Sequence, residues 1–174
     1  MNIVLTGFMA SGKTEISKAI AEISRYKLVD TDDMIVESMN ISINDIFAKY
    51  GEEYFRKTEH EIVAKAAKME NTVIATGGGV VLDKDNVALL RENGVIFNLA
   101  PDFDVIRGRL EEARKTRPLL KHESIENIEK RFNDRKPFYD DCDYKISVIN
   151  GRTPRSYAIE ILEIMEKESE GIRK

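Results

Sequence analysis

The sequence predicts an α/β fold with three layers, in which helices cover both faces of a five-stranded parallel sheet. Two observations lead to this prediction. Apolar runs typical of buried strands alternate with segments of helical period along the 174 residues, and such alternation favours a parallel sheet. The motifs with chemical character also follow directly after apolar runs, which is where ligands bind at the carboxyl ends of parallel strands.

The first predicted strand, residues 3–5, leads into a glycine-bounded loop. Its sequence, Gly7-Phe8-Met9-Ala10-Ser11-Gly12-Lys13-Thr14, matches G-x-x-x-x-G-K-[ST] completely, and a helix is predicted from residue 15 to about residue 25. In such a P-loop the backbone N–H groups hold phosphates, the lysine reaches the β- and γ-phosphates, and the hydroxyl holds Mg²⁺. The loop therefore predicts binding of a nucleoside triphosphate.

The second predicted strand, residues 28–29, ends at a cluster of acids, and we expect it to neighbour the P-loop strand. Asp30 and Asp32 are two residues apart, so in an extended segment both side chains point to one side. One carboxylate could then serve the metal while the other meets an acceptor hydroxyl. Because the third strand, residues 72–76, runs into glycine without a Walker B acid, Asp30 is the expected metal support. The alternative is that these acids only cap the following helix.

The middle of the chain predicts two helices, a strand and a glycine loop. Ser42 is a candidate N-cap of a helix that ends at Gly51, and a longer helix covers 52–69. The strand at 72–76 ends on Gly77-Gly78-Gly79, which allows a ligand to approach the backbone closely. A helix around 87–91 ends at Gly94, and the fourth strand, residues 95–99, is followed by a helix starting at Pro101.

The last third of the chain predicts a lid and an anion-binding region. Residues 111–124 are highly charged with little periodicity, so we expect a mobile surface loop whose tip is Arg117-Pro118-Leu119-Leu120. A helix at 125–138, a strand at 144–149 and a final helix after Pro154 complete the fold. Eight of the twelve arginines lie between positions 107 and 155, which indicates an anion here, although half of them would fit solvated helix faces.

Composition excludes several classes of protein. The net charge of −4 argues against a general nucleic-acid binder, and no apolar run approaches the roughly 20 residues that span a bilayer. Cys142 is the single cysteine, so neither an internal disulfide nor a zinc site is expected. Without D-x-x-G or N-K-x-D, a signalling GTPase is not favoured. We expect one domain over residues 1–174, cytoplasmic and monomeric, with no nucleic-acid or membrane partner.

Six motifs, in this order and spacing, resemble the shikimate kinases. They are the P-loop, Asp30-Thr31-Asp32, Phe55-Arg56-x-x-Glu59, Gly77-Gly78-Gly79, Arg117-Pro118-Leu119-Leu120, and Arg135 four residues before Tyr139. The resemblance implies a P-loop kinase fold like that of nucleoside monophosphate kinases, with a helical substrate-binding insertion at about 32–60 and a lid at about 111–124. It also implies transfer of the ATP γ-phosphoryl group to the 3-hydroxyl of shikimate, with Mg²⁺.

The resemblance also implies roles for individual residues. Asp32, Lys13 and Arg117 would be catalytic, and Thr14 and Asp30 would serve the metal. The acceptor would be bound by Asp32, Arg56, Gly78, Gly79 and Arg135. The nucleotide would be bound by Ala10, Ser11, Gly12, Lys13, Thr14, Ile16, Arg109, Arg117 and Arg152. His60, His122 and Cys142 receive no role.

The sequence also departs from the family pattern and leaves alternatives open. Ala10 stands where the family commonly has glycine, which is tolerable if its φ is negative. Asp33 would repel an anionic substrate, so we expect it to face solvent. Arg56 could instead pair with Glu59 or His60 on a helix surface, and Arg135 could be a helix C-terminal charge. The rival functions are a gluconate or nucleoside monophosphate kinase, or a non-catalytic nucleotide-gated interaction module.

Overall fold

The computed structural model describes residues 1–116 and 123–171. The strands are β1 (Asn2–Thr6), β2 (Lys27–Asp30), β3 (Thr72–Ala75), β4 (Gly94–Pro101) and β5 (Tyr144–Val148). The α-helices are α1 (Lys13–Ile23), α2 (Thr31–Met39), α3 (Ile43–Ala67), α4 (Lys84–Glu92), α5 (Phe103–Thr116), α6 (Ile125–Tyr139) and α7 (Pro154–Gly171), and a 3₁₀ helix covers Val80–Leu82. Among the described residues, none of these helices combines the length and apolarity needed to cross a bilayer.

The five strands form one parallel sheet in the order β2-β3-β1-β4-β5. This confirms the predicted sheet, but the expectation that β2 neighbours β1 is wrong, because β3 lies between them. All four residues of β3 are buried, whereas β2 is partly exposed along its length. The apolar strand therefore takes the interior position and β2 the edge. The end of β3 consequently lies between the P-loop and Asp30.

The core has a layer on each face of the sheet, as the three-layer prediction requires. Ile3 and Leu5 of β1 point to one face and pack with residues of α1 and α7. Val4 points to the other face and packs with residues of α3, α4 and α6. A third, smaller cluster packs α2 against α3 and consists of Ile35, Ile46, Phe55 and Ile62. The segment between β2 and β3 is thus anchored by its own apolar contacts.

The structure confirms one predicted helix boundary and corrects two others. Gly51 interrupts α3 with φ 82° and ψ 175°, which confirms the predicted break. The predicted loop over 111–124 is wrong at its start, because α5 continues to Thr116. The exposed residues Glu111 and Glu112 follow the buried Leu110. Because this end of the helix presents charged residues to solvent, its apolar residues do not recur at helical spacing in the sequence. Pro101 ends β4 instead of starting α5, since it pairs with Val148.

Helix α2 had entered the sequence analysis only through the alternative reading, in which the acids cap a following helix. It is only nine residues long, and Ile35 is its one fully buried apolar side chain. Such a short helix carries too few apolar positions to display a period. The available signal was at its start, where Asp30 caps the helix and Asp32 and Asp33 occupy the first turn, the arrangement that a helix N-terminus favours.

Candidate active site

The P-loop has a backbone suited to holding an anion. Gly7, Ala10 and Gly12 have φ values of 148°, 59° and 102°, and Gly12 stands at the N-cap of α1 without a side-chain cap. The first N–H groups of α1 therefore lack helical partners, and the turning loop can direct further N–H groups toward one point. Arg109 supports the loop from α5 by donating to the Ala10 carbonyl at 2.7 Å.

Ala10 departs from what its sequence position predicted. A negative φ was expected, but φ is 59°, so alanine holds a left-handed conformation that costs an L-residue about 1–2 kcal/mol. The loop imposes this conformation, because the Ser11 N–H turns back to donate to the Phe8 carbonyl at 3.1 Å. Glycine would adopt the same turn without that strain.

Lys13 lies half-buried across its own loop. Its Nζ donates to the Gly7 carbonyl at 2.6 Å and the Phe8 carbonyl at 3.1 Å. Burial lowers the pKa of Lys13 to about 8, although the charges of Asp32 and Asp30 oppose this effect. The ammonium is therefore held between the P-loop and two carboxylates.

A cavity of about 620 Å³ opens beside Lys13. We call it the Asp32 cavity. It lies between the P-loop, the start of α2, helix α3, the end of β3 and helix α6. Its lining includes these predicted site residues: Lys13, Thr14, Asp30, Asp32, Arg56, Gly78, Gly79 and Arg135. Residues that are distant in the sequence thus meet in one place, whereas Arg117 lies outside the described residues.

Asp30 and Asp32 both line this cavity, but not for the predicted reason. The chain is not extended here, since α2 begins at Thr31 and the Asp30 Oδ1 accepts from the Asp32 N–H at 2.8 Å. Asp30 is therefore the cap, and Asp32 projects from the first turn. Burial, followed by the charge of Asp30, raises the pKa of Asp32 to about 6. Asp33 is exposed, as expected.

The glycine loop after β3 packs tightly against charged side chains. A Cβ on Gly77 would overlap Asp32 Oδ1, and a Cβ on Gly79 would overlap Arg56 Nη1. The Gly77 N–H donates to Thr31 Oγ1 at 2.9 Å, and Thr31 is fully buried. Thr31, which stands between the two acids, thus supports the glycine loop, and the sequence analysis had assigned it no contact of its own.

Arg56 enters the cavity from α3 with a buried partner. Its Nη1 donates to Glu59 Oε2 at 2.7 Å, and its Nη2 is 3.4 Å from Glu52 Oε1. The predicted pairing with Glu59 is correct, yet Arg56 also lines the cavity. Glu59 is only 2% exposed, so it fixes the guanidinium. The sequence feature that indicated this ion pair was an acid three residues after the arginine. His60 instead contacts Asn86 at 2.7 Å.

Helix α6 supplies two arginines to the same cavity. Arg135 lines it and places Nη1 3.5 Å from the Gly78 carbonyl, so it is more than a helix C-terminal charge. Arg131 also lines the cavity and makes a two-pronged ion pair with Glu123, at 2.7 and 2.9 Å. In the sequence, Arg131 was one of the eight arginines between positions 107 and 155, but no site role was predicted for it.

A second cavity, of about 470 Å³, also opens at the P-loop, and it shares no lining residue with the Asp32 cavity. Its lining includes the predicted nucleotide residues Ala10, Gly12, Ile16, Arg109 and Arg152. The Arg152 guanidinium lies 4.2 Å from the centre of the Tyr157 ring and 2.7 Å from Glu160 Oε2. We call this the Arg152 cavity. Because P-loop residues line both cavities, a triphosphate bound to the loop would adjoin both compartments.

Comparison with known proteins identifies a family for this chain. The model of the family described as shikimate kinase matches residues 9–166. A shikimate kinase of Caldicellulosiruptor bescii is 46% identical over 170 residues, which are 97% of this chain and 98% of that protein. The crystal structure of shikimate kinase from Bacteroides thetaiotaomicron has a TM-score of 0.86 at 30% identity, covering 95% of this chain and 98% of that one.

A shikimate kinase of Acinetobacter baumannii, solved in complex with shikimate, has a TM-score of 0.84 at 30% identity and covers 96% of this chain and 93% of that one. Both the sequence and the fold thus agree with the six motifs over almost the whole length. The chain belongs to the shikimate kinase family.

Proposed function

We propose that this enzyme transfers the γ-phosphoryl group of ATP to the 3-hydroxyl of shikimate through the residues of the Asp32 cavity. One observation carries the assignment. A single cavity brings together the P-loop lysine, a carboxylate of raised pKa and the guanidinium groups of Arg56 and Arg135. A hydroxylated carboxylic acid needs those groups: cations for its carboxylate and an acceptor for its hydroxyl.

On the nucleotide side, the P-loop N–H groups from Ala10 to Thr14 would hold the β- and γ-phosphates together with Lys13. The Arg152 cavity would take the adenine, with Ile16 as an apolar contact and Arg109 and Arg152 flanking the ring. This proposal rests on that cavity beginning at Ala10 and Gly12, next to the phosphate-binding loop. Arg117 is assigned to the phosphates only by the resemblance of its motif.

Thr14 and Asp30 fit a role in holding Mg²⁺. Among the described residues there is no group of three or more His, Cys, Asp or Glu side chains that could hold a metal. Mg²⁺ needs no such group, because it is commonly held by one or two protein oxygens together with phosphates and water. When bound, Mg²⁺ would neutralise charge on the transferring phosphoryl group.

On the acceptor side, Arg56 and Arg135 would hold the shikimate carboxylate with their planar guanidinium groups. Glu59 would keep Arg56 in place, and the N–H groups of Gly78 and Gly79 would donate to ring hydroxyls. Asp32 would accept from the attacking hydroxyl. Because the transition state of phosphoryl transfer is loose, alignment and offset of charge contribute more than early proton removal.

The test is a coupled assay of ADP release with a panel of acceptors. We expect release to depend on shikimate, with gluconate and nucleoside monophosphates inactive at equal concentration. Equal stimulation by either of them would favour a different small-molecule kinase, and release independent of any acceptor, with ATP still bound, would favour the nucleotide-gated module. The cavity contents and the family membership both disfavour these alternatives.

Replacing Arg135 by alanine should weaken shikimate binding far more than ATP binding. Loss of a charge-assisted hydrogen bond is worth about 1.5–3 kcal/mol, so the KM for shikimate should rise roughly 10- to 100-fold. Steady-state kinetics with each substrate varied in turn will measure this. Arg155→Ala is the matched control, since Arg155 is exposed at the start of α7. A larger rise in the KM for ATP would move Arg135 to the nucleotide side.

We further propose a cytoplasmic monomer with residues 1–174 as one domain and the segment 32–60 as the shikimate-binding part. Asp32 and Arg56 stand within that segment, on α2 and α3, which supports its role in acceptor binding.

A further inference from the structure

Tyr139, the last residue of α6, forms a hydrogen bond with the glycine loop that no role above uses. Its hydroxyl donates to the Gly78 carbonyl, and its ring is packed in the core with Phe8, leaving 5% of the residue exposed. Burial raises the pKa of Tyr139 to about 12. The phenol therefore remains a proton donor throughout the pH range in which enzymes work.

The bond acts on the peptide group that would face the acceptor. The Gly78 carbonyl and the Gly79 N–H belong to the same planar unit, so fixing the direction of the oxygen also fixes the direction of the N–H. A hydrogen bond to the carbonyl polarises the unit and makes its N–H a stronger donor, by about 10–30% in the condensed phase. Tyr139 therefore both aims and strengthens the Gly79 N–H.

The rest of the loop is fixed from the opposite side. The Gly77 N–H donates to Thr31 Oγ1 at 2.9 Å, so α2 holds the start of the loop while α6 holds the carbonyl that follows. Arg135, one helical turn before Tyr139, also reaches toward the Gly78 oxygen, with Nη1 at 3.5 Å. Helix α6 thus brings a neutral donor and a cation to one carbonyl, and both act on the peptide in the same direction.

We propose that Tyr139 is a positioning residue for the acceptor, whose hydroxyl aims and polarises the Gly78–Gly79 peptide so that the Gly79 N–H binds a ring hydroxyl. This inference rests on the proposed function of the Asp32 cavity. Tyr139 acts through the peptide and does not itself touch the reacting atoms.

Tyr139→Phe tests the proposal because it removes one oxygen and keeps the ring. The loss of one hydrogen bond, worth about 0.5–1.5 kcal/mol, should raise the KM for shikimate about 2- to 13-fold. The KM for ATP and kcat should each change less than twofold. Tyr144→Phe is the matched control, since the hydroxyl of Tyr144 is bonded to Glu168 on α7; it should leave both KM values unchanged.

Binding of deoxy analogues separates positioning from general support. We expect Tyr139→Phe to weaken shikimate, but to have no effect on the dissociation constant of the analogue that lacks the hydroxyl bound by Gly79. An equal penalty for every analogue would overturn the proposal. So would a variant with a lowered Tm that loses ATP and shikimate affinity alike, because that is the behaviour of a purely structural tyrosine.

The outcome also distinguishes this inference from the proposed function. If the wild-type enzyme phosphorylates shikimate and Tyr139→Phe retains its KM for shikimate, only the positioning role is wrong. If the wild-type enzyme fails to act on shikimate, the proposed function is wrong, whatever Tyr139→Phe does.

Discussion

Replacing Asp32 by asparagine should reduce kcat by about 10²- to 10⁴-fold, the range found for groups that accept a proton or align a nucleophile. The amide keeps the shape of the side chain but loses the negative charge that draws the attacking hydroxyl into line. Asp32 lines the Asp32 cavity and not the Arg152 cavity proposed for the adenine. The dissociation constant of ATP should therefore change less than about threefold, as expected for the loss of a weak charge contact. Stopped assays and ATP titration will measure the two effects.

The control for Asp32→Asn is Asp33→Asn, which removes the same charge one residue away from an exposed position. It should leave kcat within a factor of about two, as expected for a surface substitution. If Asp32→Asn retains its turnover, or if both variants lose it equally, Asp32 has no specific role in aligning the acceptor.

The pKa of Asp32 adds a pH test. With the pKa raised to about 6 by burial and by Asp30, the carboxylate becomes protonated as the pH falls through 6. The wild-type kcat/KM should therefore decline about tenfold for each pH unit below that value, since this ratio reports the free enzyme. The residual activity of Asp32→Asn should not show this decline at acid pH. If kcat/KM of the variant declines at acid pH in the same way, the titrating group is not Asp32.

The sequence predicted correctly those structural features that are determined by a few consecutive residues. The P-loop, the break at Gly51 and the glycine loop after β3 each require a particular backbone over a few residues. Such requirements are visible in residue types, because few residues tolerate a left-handed turn or a close approach of a side chain to the backbone. The position of each motif after a strand then predicted that all of them face one edge of the sheet.

Contacts between distant residues explain what was missed. The place of β3 beside β1 depends on which strand is buried from both sides, and only the packed sheet reveals that. Ala10 is left-handed because its loop requires it, against the residue's own preference. Tyr139 acts through the Gly78 carbonyl. This partner is identifiable only after α6 and the glycine loop have met, whereas the pairing of Arg56 with Glu59, three residues apart on α3, was visible in the sequence.

Gly79→Ala should raise the KM for shikimate about 10- to 100-fold or more, as expected for losing a charged hydrogen-bonding group. The added Cβ would overlap Arg56 Nη1, so the guanidinium must move away from its place beside Glu59. Backbone strain is not the cause, because Gly79 has φ −99° and ψ −9°, values that alanine also adopts. Steady-state kinetics will measure the change, and the KM for ATP should stay within about twofold of the wild-type value.

Gly108→Ala is the matched control for Gly79→Ala. Gly108 lies exposed in α5, where an added Cβ would meet no atom of the described residues within 4 Å. This variant should retain both KM values and gain about 0.5–1 kcal/mol in stability, because alanine favours a helix more than glycine does. A comparable loss of shikimate binding in both variants would remove the steric explanation.

A double-mutant cycle with Arg56→Ala then identifies the atom that Gly79 makes room for. Arg56→Ala alone should raise the KM for shikimate and destabilise the fold, because it leaves Glu59 buried without its ion pair. In the Arg56→Ala background, however, the Cβ of Ala at position 79 has no guanidinium to displace, so Gly79→Ala should add less than about threefold to the KM. Additive effects would mean that the methyl group blocks the acceptor directly. Strong non-additivity would mean that glycine is required at position 79 because Arg56 must pack against its backbone to reach the shikimate carboxylate.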